Sequence, residues 1–351
     1  MCACVCACVC ACACVPAGDA PADDMWRGGV GDARAARAAQ RTYAPAQART
    51  CAKALVLVTA LIFCHRAAAE PMLHMLVGTS LLNSSQPLST PLNMPHGVSA
   101  WRNATNERTR LYIADTNNNV VRALWIGDVD MDIVAGTGSG GFNNDGLLAT
   151  LSQLHQPRSV SVLYVEGAHI RPVLYIADMM NSRVRRVGEN GVMLTVAGTG
   201  VNSYSGDGGP ATSAALSWPT CVVAVPYYAG GATATLYIAD TLNHRVRRVN
   251  TAGIISTLAG LGSFGLGGEN VIGTSSYLFS PQGLAVLQNA STGAVTVYIS
   301  DTYNHRIRRV NETGYIATVM GNGTAGFGGD GQPPGSQSMF YTPLGIAAVR
   351  I

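Results

Sequence analysis

Short apolar runs of four to six residues recur along this chain, and Gly, Asn, Asp or Pro bounds each of them. The runs are rich in Val, Ile, Leu and Tyr, a pattern that predicts β-strands joined by turns and not helices. Four runs occur in each period, and in the third period they are CVVAV (221–225), LYIAD (236–240), RVRRV (245–249) and IISTLAG (254–260). Their nearly continuous apolar character predicts sheets that neighbouring sheets cover on both faces.

One segment of the period recurs four times, at 111–124, 174–187, 236–249 and 297–310. Its central aspartates lie 63, 62 and 61 residues apart and are Asp115, Asp178, Asp240 and Asp301. So regular a period indicates one unit copied in series. Four short antiparallel strands per unit predict the blades of a β-propeller. A β-solenoid is the alternative, but its repeats would be shorter and have little loop between strands.

The recurrent segments resemble those of the NHL-repeat β-propellers. The resemblance rests on YIADT followed by Asn-His-Arg, preceded by VAGTG, GDGGPAT and a loop proline, and it covers roughly residues 72–351. It is strongest at 236–249. Asn119 and Ser182 stand where the third and fourth repeats have His244 and His305. The resemblance implies a propeller that commonly closes with six blades and whose termini share one blade.

The strand count predicts an all-β fold, a β-propeller of four-stranded antiparallel blades with four full blades plus an incomplete fifth. Inner-strand segments occur five times, and so do outer-strand segments if residues 72–78 are a degenerate copy, but the two middle strands occur four times. A blade shared by the two termini would therefore lack its middle pair. We hypothesise that the chain is truncated after Ile351, or that its unpaired strand edges associate with another copy.

The residues before the repeats divide into two segments, leaving 70–351 for the propeller. Residues 1–24 begin with alternating Cys and Ala or Val, the pattern of a translated microsatellite, so we interpret them as a misassigned start before Met25. A metal-binding or acylated cysteine tract is the alternative. Residues 25–69 contain an eleven-residue apolar run (54–64) with a basic flank and a following Ala-Ala-Ala, which predicts a secretory signal cleaved before Glu70. Because a bilayer span needs about 20 apolar residues, a type II membrane anchor is the second interpretation.

Two features agree with secretion or residence in the secretory-pathway lumen. Five N-glycosylation sequons follow residue 70 in predicted loops or turns, at Asn83, Asn103, Asn289, Asn311 and Asn322. Cys221 is the single cysteine of the same region, so no internal disulfide is expected there. Its place on a predicted inner strand favours a small buried apolar residue over a nucleophile.

Charge argues against a nucleic-acid partner. The whole chain carries a formal net charge of +3, but residues 70–351 contain 16 Arg, no Lys and 16 Asp plus Glu. A nucleic-acid-binding surface needs an excess of positive charge. Most arginines belong to the repeat, and we expect them to pair across strands with the motif aspartates Asp178, Asp240 and Asp301. They are Arg183, Arg185, Arg186, Arg245, Arg247, Arg248, Arg306, Arg308 and Arg309. An RNA-binding surface, known among NHL propellers, is the alternative.

The residue after each loop proline differs in every repeat, although the proline does not change. These five residues are spaced 62 apart and are His96, Arg158, Thr220, Gln282 and Leu344. A variable position in a fixed frame near a channel mouth is where ligand specificity is expected. The alternative is relaxed constraint at an exposed position.

A second set of residues, all acidic, lies in the Gly-rich loops. Its members are Asp145, Asp207, Glu269 and Asp330, spaced 62, 62 and 61 residues apart. Asp in N-D-G or G-D-G commonly caps its own turn, whereas a ring of carboxylates would suit calcium. The loops lack the dense acidic spacing of a calcium site, so the sequence favours turn capping and predicts no metal and no cofactor.

The sequence therefore predicts a secreted or lumenal binding or scaffold module, with a protein, peptide or glycan as its ligand at the loop-rich face. Membrane attachment is expected only if segment 54–64 stays uncleaved. The alternative is a metal-dependent lyase or hydrolase at the channel mouth, since the resemblance includes lyases with a metal held by histidines. His96 and His155 flank loop prolines, but no third histidine joins them to complete a three-histidine zinc site.

Overall fold

The computed structural model describes residues 2–7, 11–16, 91–103, 107–128, 130–163, 171–226, 233–289, 291–330 and 338–350. Its strands, in chain order, are β1 Cys2–Ala7, β2 Ala11–Pro16, β3 Pro95–Arg102, β4 Thr109–Asp115, β5 Val120–Trp125, β6 Asp132–Ala135, β7 Pro157–Leu163, β8 Val173–Asp178, β9 Arg183–Val187, β10 Met193–Ala197, β11 Pro219–Pro226, β12 Ala234–Asp240, β13 Arg245–Val249, β14 Ile255–Ala259, β15 Val271–Ile272, β16 Gly283–Gln288, β17 Val295–Asp301, β18 Arg306–Val310, β19 Tyr315–Met320 and β20 Ile346–Arg350.

The only helices in these ranges are single 3-10 turns. They are Thr116–Asn118, Ala149–Leu151, Met179–Asn181, Ala211–Ser213, Thr241–Asn243, Gly273–Ser275 and Thr302–Asn304. None of them has the length or the apolar composition of a membrane span. Segment 54–64, which the sequence predicts to be a signal, lies outside the described residues.

Four antiparallel sheets each take four consecutive strands, and this confirms the predicted blades. Blade 1 is β3–β6, blade 2 is β7–β10, blade 3 is β11–β14 and blade 4 is β16–β19. In blade 4 the short β15, from the loop before the blade, pairs with the outer strand β19. Single bridges do the same in blades 2 and 3, at Leu148↔Val192 and Pro210↔Ile254. The incoming loop thus covers the outer edge of each of these three sheets, an edge that would otherwise invite pairing with other chains.

The strand order defines two faces. Four antiparallel strands return the chain to its starting side, so every loop between blades begins and ends on one side, where the turns that join the two middle strands also lie. We call this side the loop face. The turns between first and second strands, and between third and fourth strands, lie on the other side, which we call the hairpin face.

Apolar side chains fill the space between successive blades. One cluster joins Tyr175 and Val184 of blade 2 to Val222 and Ile238 of blade 3, all buried. Similar clusters join blades 1 and 2 and blades 3 and 4. This packing explains the nearly continuous apolar runs, because both faces of an inner sheet are covered.

The fifth sheet has three strands, in the order β2–β1–β20. β20 is an inner strand at the position the sequence predicts, and it pairs antiparallel with β1 from Ala3↔Arg350 to Ala7↔Ile346. The interpretation of residues 1–24 as a misassigned start stays a prediction. Their alternating Cys, Ala and Val favour extended backbone, and β20 offers a free edge. The predicted outer strand at 72–78 lies outside the described residues.

Candidate functional site

The motif aspartates are structural centres of the blades. Asp240 has no exposed surface. Its Oδ1 accepts a hydrogen bond from the Ser217 backbone N–H at 2.7 Å, and its Oδ2 accepts one from the Asn243 amide at 2.8 Å. The other motif aspartates, Asp115, Asp178 and Asp301, repeat both bonds with the equivalent residues. Each carboxylate therefore fixes the turn between the middle strands to the loop entering the same blade.

The arginine that pairs with each aspartate is not the one that directly opposes it. Asp240 opposes Arg245 in the strand register, yet it forms its ion pair with Arg247, at 3.2 Å. The same diagonal pairing joins the other motif aspartates to Arg122, Arg185 and Arg308. A long side chain reaches a diagonal neighbour readily across an antiparallel pair. The expected pairing of repeat arginines with the motif aspartates is therefore confirmed for Arg185, Arg247 and Arg308. It is wrong for Arg183, Arg245 and Arg306.

Arg183 and Arg245 instead pack under aromatic rings from the preceding loop. The Arg183 guanidinium carbon lies 3.9 Å from the centre of the Phe142 ring, and that of Arg245 lies 3.7 Å from the centre of the Tyr204 ring. Arg183 and Arg245, like Arg306, also donate to a carbonyl oxygen of the loop that leaves their own blade. These three arginines therefore hold loops in place.

The acidic loop residues bind arginines of the following blade. Asp145 accepts from Arg185 at 2.9 Å, and Asp207 accepts from the Nε of Arg247 at 3.1 Å. Glu269 lies 3.3 Å from Arg308. The three residues also accept hydrogen bonds from Thr195, Thr257 and Thr318 of the outer strands. Their carboxylates thus serve contacts with the next blade, and turn capping is not their role. Asp330 has no ion pair with any described residue.

These contacts create a buried chain of three charges in blades 2, 3 and 4. Each arginine lies between a fully buried motif aspartate and a partly exposed loop carboxylate. Burial raises the pKa of Asp178 and of Asp301 to about 6, against the opposing effect of hydrogen bonds from the amide, the backbone and the arginine. Both carboxyls are therefore still mainly ionised at pH 7, and they neutralise the arginines.

Other motif residues connect one blade to the next. The hydroxyl of Thr241 donates to the carbonyl of the loop proline Pro281 at 2.8 Å, and Thr116 and Thr302 make the same contact. His244 has left-handed backbone, and its Nδ1 accepts from the Ser280 backbone N–H at 3.1 Å. His305 bonds Thr342 in the same way. In the first repeat the Asn119 side chain replaces this histidine acceptor.

The post-proline residues lie side by side at the starts of the inner strands. The hydroxyl of Thr220 bonds the carbonyl oxygen of Gln282 at 3.0 Å and the hydroxyl of Thr241 at 2.7 Å. Thr220 is also buried, so its hydroxyl is not free for a ligand. His96 and Leu344 are exposed, and Arg158 and Gln282 are partly so. The five predicted positions therefore form one arc on the loop face, and only some of them reach solvent.

Two further chemical candidates can be placed. Within the described ranges, no group of three or more His, Cys, Asp or Glu side chains is arranged to hold a metal ion. Cys221 packs against the apolar cluster between blades 3 and 4. Burial raises the pKa of its thiol to about 11, so the thiol stays protonated and unreactive at neutral pH.

An exposed aromatic cluster occupies the loop face where blades 3 and 4 meet. The rings of Phe264 and Phe279 lie 5.2 Å apart, and those of Phe279 and Tyr303 lie 5.1 Å apart, measured between centroids. His244 contacts both phenylalanines edge-on. Phe264 is 66% exposed and Tyr303 is 49% exposed. The sequence does not predict this cluster, because its members come from three separate turns and loops.

Three of the five sequon asparagines lie at the hairpin face. Asn103 and Asn289 lie at turns between first and second strands, and Asn311 lies at the turn after β18. Asn322 lies in the loop after blade 4, on the loop face. Asn83 lies outside the described residues. The four that can be placed are all outside strands, as the sequence predicts.

The fold defines a β-propeller protein built from serial four-stranded blades. No family model matches the chain. Human NHL repeat-containing protein 2 is 34% identical over 115 residues, which cover 32% of this chain and 15% of that protein. The resemblance of the recurrent segments to NHL repeats is thus confirmed. The aligned part thus spans only 15% of the length of this curated relative.

Two solved structures share the general fold at low similarity. An auxiliary nutrient binding protein from Bacteroides thetaiotaomicron is 16% identical with a TM-score of 0.40, covering 72% of this chain and 64% of that chain. A chain of the nidogen/laminin complex is 14% identical with a TM-score of 0.44, covering 74% of this chain and 86% of that chain. At this level of similarity neither structure informs the ligand of this protein.

Proposed function

We propose that this protein is a secreted or lumenal NHL-repeat binding module that recognises a protein, peptide or glycan at its loop face. The observation that carries the proposal is the exposed aromatic cluster of Phe264, Phe279 and Tyr303. Aromatic side chains are enriched at binding interfaces, because they bury a large area and lose little conformational freedom. Leu242 and Met180 occupy the position of Tyr303 in blades 3 and 2 and are exposed too.

The hairpin face suits a different role. It holds three of the sequons, and glycans there would leave the aromatic cluster on the opposite face uncovered. Six repeat arginines are held by contacts within and between blades, which supports a ligand other than nucleic acid. They are Arg183, Arg185, Arg245, Arg247, Arg306 and Arg308. The ligand is thus expected to approach from the loop face.

Two tyrosines of blade 4 offer a matched test of whether the ligand binds at the loop face. Tyr303 on the loop face is 49% exposed, and Tyr315 on the hairpin face is 46% exposed. Ligands would first be selected with the full chain from a displayed peptide library and a glycan array. We expect Tyr303→Asp to weaken binding at least about tenfold, since loss of a central aromatic contact costs 1–2 kcal/mol or more. Tyr315→Asp should bind like the wild type, and equal loss in both variants would contradict the proposal.

Secretion is tested separately through the sequons. Expressed in mammalian cells, the protein is expected in the medium, and peptide-N-glycosidase should increase its gel mobility. The Asn311 side-chain oxygen already accepts from the hydroxyl of Thr313, at 2.8 Å, within its own sequon. Asn311→Gln and Thr313→Ala should each remove one glycan and give the same mobility. An unglycosylated protein retained in the cytosol would refute this part of the proposal.

A further inference from the structure

Arg158 is a charged residue of the loop face whose side chain has no hydrogen-bond or ion-pair partner among the described residues. It is the second residue of β7, beside the inner strand of blade 1. A Cβ built on Gly97 would lie 2.7 Å from the Arg158 carbonyl oxygen, so the two inner strands touch at this point. His96 is close enough that the positive charge of Arg158 lowers its pKa.

The guanidinium is partly buried and unneutralised. Its Nε atom is buried without an acceptor, and no ion pair or hydrogen bond joins the side chain to any described residue. Burial lowers the pKa of Arg158, and no carboxylate opposes this effect. Arg185, Arg247 and Arg308, by contrast, each lie between two carboxylates. Partial burial of an unpaired charge is unfavourable unless a partner arrives.

The neighbouring residues do not supply that partner. The acidic residues Asp145, Asp207 and Glu269 of the loop face are bound to other arginines. The rest of the arc contributes a buried hydroxyl, an amide and an apolar side chain, from Thr220, Gln282 and Leu344. The Nδ1 of His96 lies 2.8 Å from the Met94 carbonyl oxygen and 3.0 Å from the Thr116 hydroxyl. Partial burial and the charge of Arg158 lower the pKa of His96, so its ring is neutral at pH 7.

We propose that Arg158 receives a single carboxylate from an acidic segment of a peptide or protein ligand. This inference rests on the proposed function and names the chemistry of its ligand. The planar guanidinium offers two parallel N–H donors that match one carboxylate. One unpaired positive charge suits one negative charge, whereas a sulfated glycan with many charges needs a basic patch. The aromatic cluster on the same face would receive apolar side chains of the same ligand.

Binding of a carboxylate at Arg158 is measured through the pKa of the neighbouring His96 imidazole. Its pKa is followed by NMR in the full chain with sodium acetate, and with sodium chloride at equal ionic strength. Acetate bound at Arg158 should raise the pKa of His96, because it adds a negative charge beside the ring. Arg158→Gln should abolish the response without lowering the melting temperature, since its side chain has no bond to lose. Arg158→Lys should retain part of the response, and His96→Gln assigns the resonance.

The control variant removes one arginine charge from the hairpin face, as Arg158→Gln removes one from the loop face. Arg102 lies at the end of β3 on the hairpin face, 3.5 Å from exposed Glu107, and Arg102→Gln should leave the acetate effect intact. A six-glutamate peptide should act at lower concentration than acetate, and a six-glutamine peptide should not act. An equal response to chloride, an unchanged response in Arg158→Gln, or a stronger effect of sulfate or glucuronate than of the glutamate peptide would overturn the inference.

This result is separable from the test of the proposed function. If Tyr303→Asp abolishes binding of a selected ligand while acetate leaves His96 unchanged, the binding face stands and the carboxylate site fails. If acetate acts through Arg158 but no ligand depends on Tyr303, the site stands and the proposed function fails.

Discussion

Replacing Asp240 with alanine is expected to lower the free energy of unfolding by about 3–5 kcal/mol, the usual effect of removing one member of a buried ion pair. Asp240 and Arg247 both have fully buried side chains. The variant leaves the Arg247 guanidinium in the interior with one of its two carboxylates missing. It also leaves the Ser217 backbone N–H and the Asn243 amide without the acceptor that they share in the native blade.

The loop carboxylate of the same chain of charges is the internal control. Asp207 is 33% exposed and binds the other side of Arg247. Water can replace part of its contacts, so Asp207→Ala should cost about 1 kcal/mol, the net value of an ordinary hydrogen bond. Urea unfolding followed by circular dichroism compares the two variants. If Asp240→Ala and Asp207→Ala lower the free energy of unfolding equally, burial of the Asp240 carboxylate gives the blade no additional stability.

A double substitution separates the ion pair from the turn that Asp240 organises. In the Asp240→Ala background, Arg247→Met removes the buried charge that has lost one of its two carboxylates, and it should recover part of the loss, since apolar groups replace buried pairs at little cost. The recovery stays incomplete if the Ser217 and Asn243 donors are still unpaired. Full recovery would assign the whole effect to the charge and would refute the role of the carboxylate in the turn.

The sequence predicted the blades because their information is local. The period, the strand lengths and the place of each aspartate at a strand end can all be read along one repeat. Alternation along RVRRV also places Arg245 and Arg247 on the same side of β13. The strands of one repeat do not show which side chains contact these two arginines, because the acidic and aromatic residues that meet them come from the preceding loop. The arginines were therefore assigned as a group to the aspartates.

One spacing in the loops indicates which residues contact the arginines. An aromatic residue stands three positions before the acidic residue in three loops, as in Phe142 and Asp145, or Tyr204 and Asp207. This pair meets the two same-side arginines of the next blade, one by its ring and one by its carboxylate. The aromatic cluster of blades 3 and 4 has a weaker periodic signal, since Phe279 recurs as Tyr341 two residues before the next loop proline but Phe264 does not recur as an aromatic residue. A surface that departs from the repeat cannot be found by aligning the repeats.

The second large effect is expected from Gly260→Ala, which should lower the free energy of unfolding by about 2–5 kcal/mol. Gly260 follows the outer strand of blade 3 with φ +98, and a Cβ there would lie 2.2 Å from the His244 carbonyl oxygen and 2.9 Å from the Arg245 Cα. The strained backbone costs about 1–3 kcal/mol for any other residue. The overlap with fixed backbone adds a similar amount.

Gly253 in the same blade isolates the first of these costs, the strained backbone, so the difference between the two variants gives the cost of the overlap. Its φ is +77, and nothing lies within 4 Å of its built Cβ, so Gly253→Ala should cost about 1 kcal/mol from left-handed backbone alone. Urea midpoints of the two variants give the comparison. If both lose the same amount, the close approach at Gly260 relaxes without cost and the predicted steric role is wrong.

A larger loss of unfolding free energy at Gly260 would explain why a glycine packs against a residue with left-handed backbone in every repeat. Built Cβ atoms at Gly136, Gly198 and Gly321 lie 2.3, 2.3 and 2.4 Å from the carbonyl oxygens of Asn119, Ser182 and His305, the left-handed residues of their blades. The outer strand thus ends directly against the turn between the middle strands, where a side chain has no room. The left-handed residue changes from Asn to Ser to His, but the glycine does not change. We therefore expect the cost of Gly260→Ala to persist when His244 is replaced by Asn, because the obstacle is the backbone oxygen and not the imidazole.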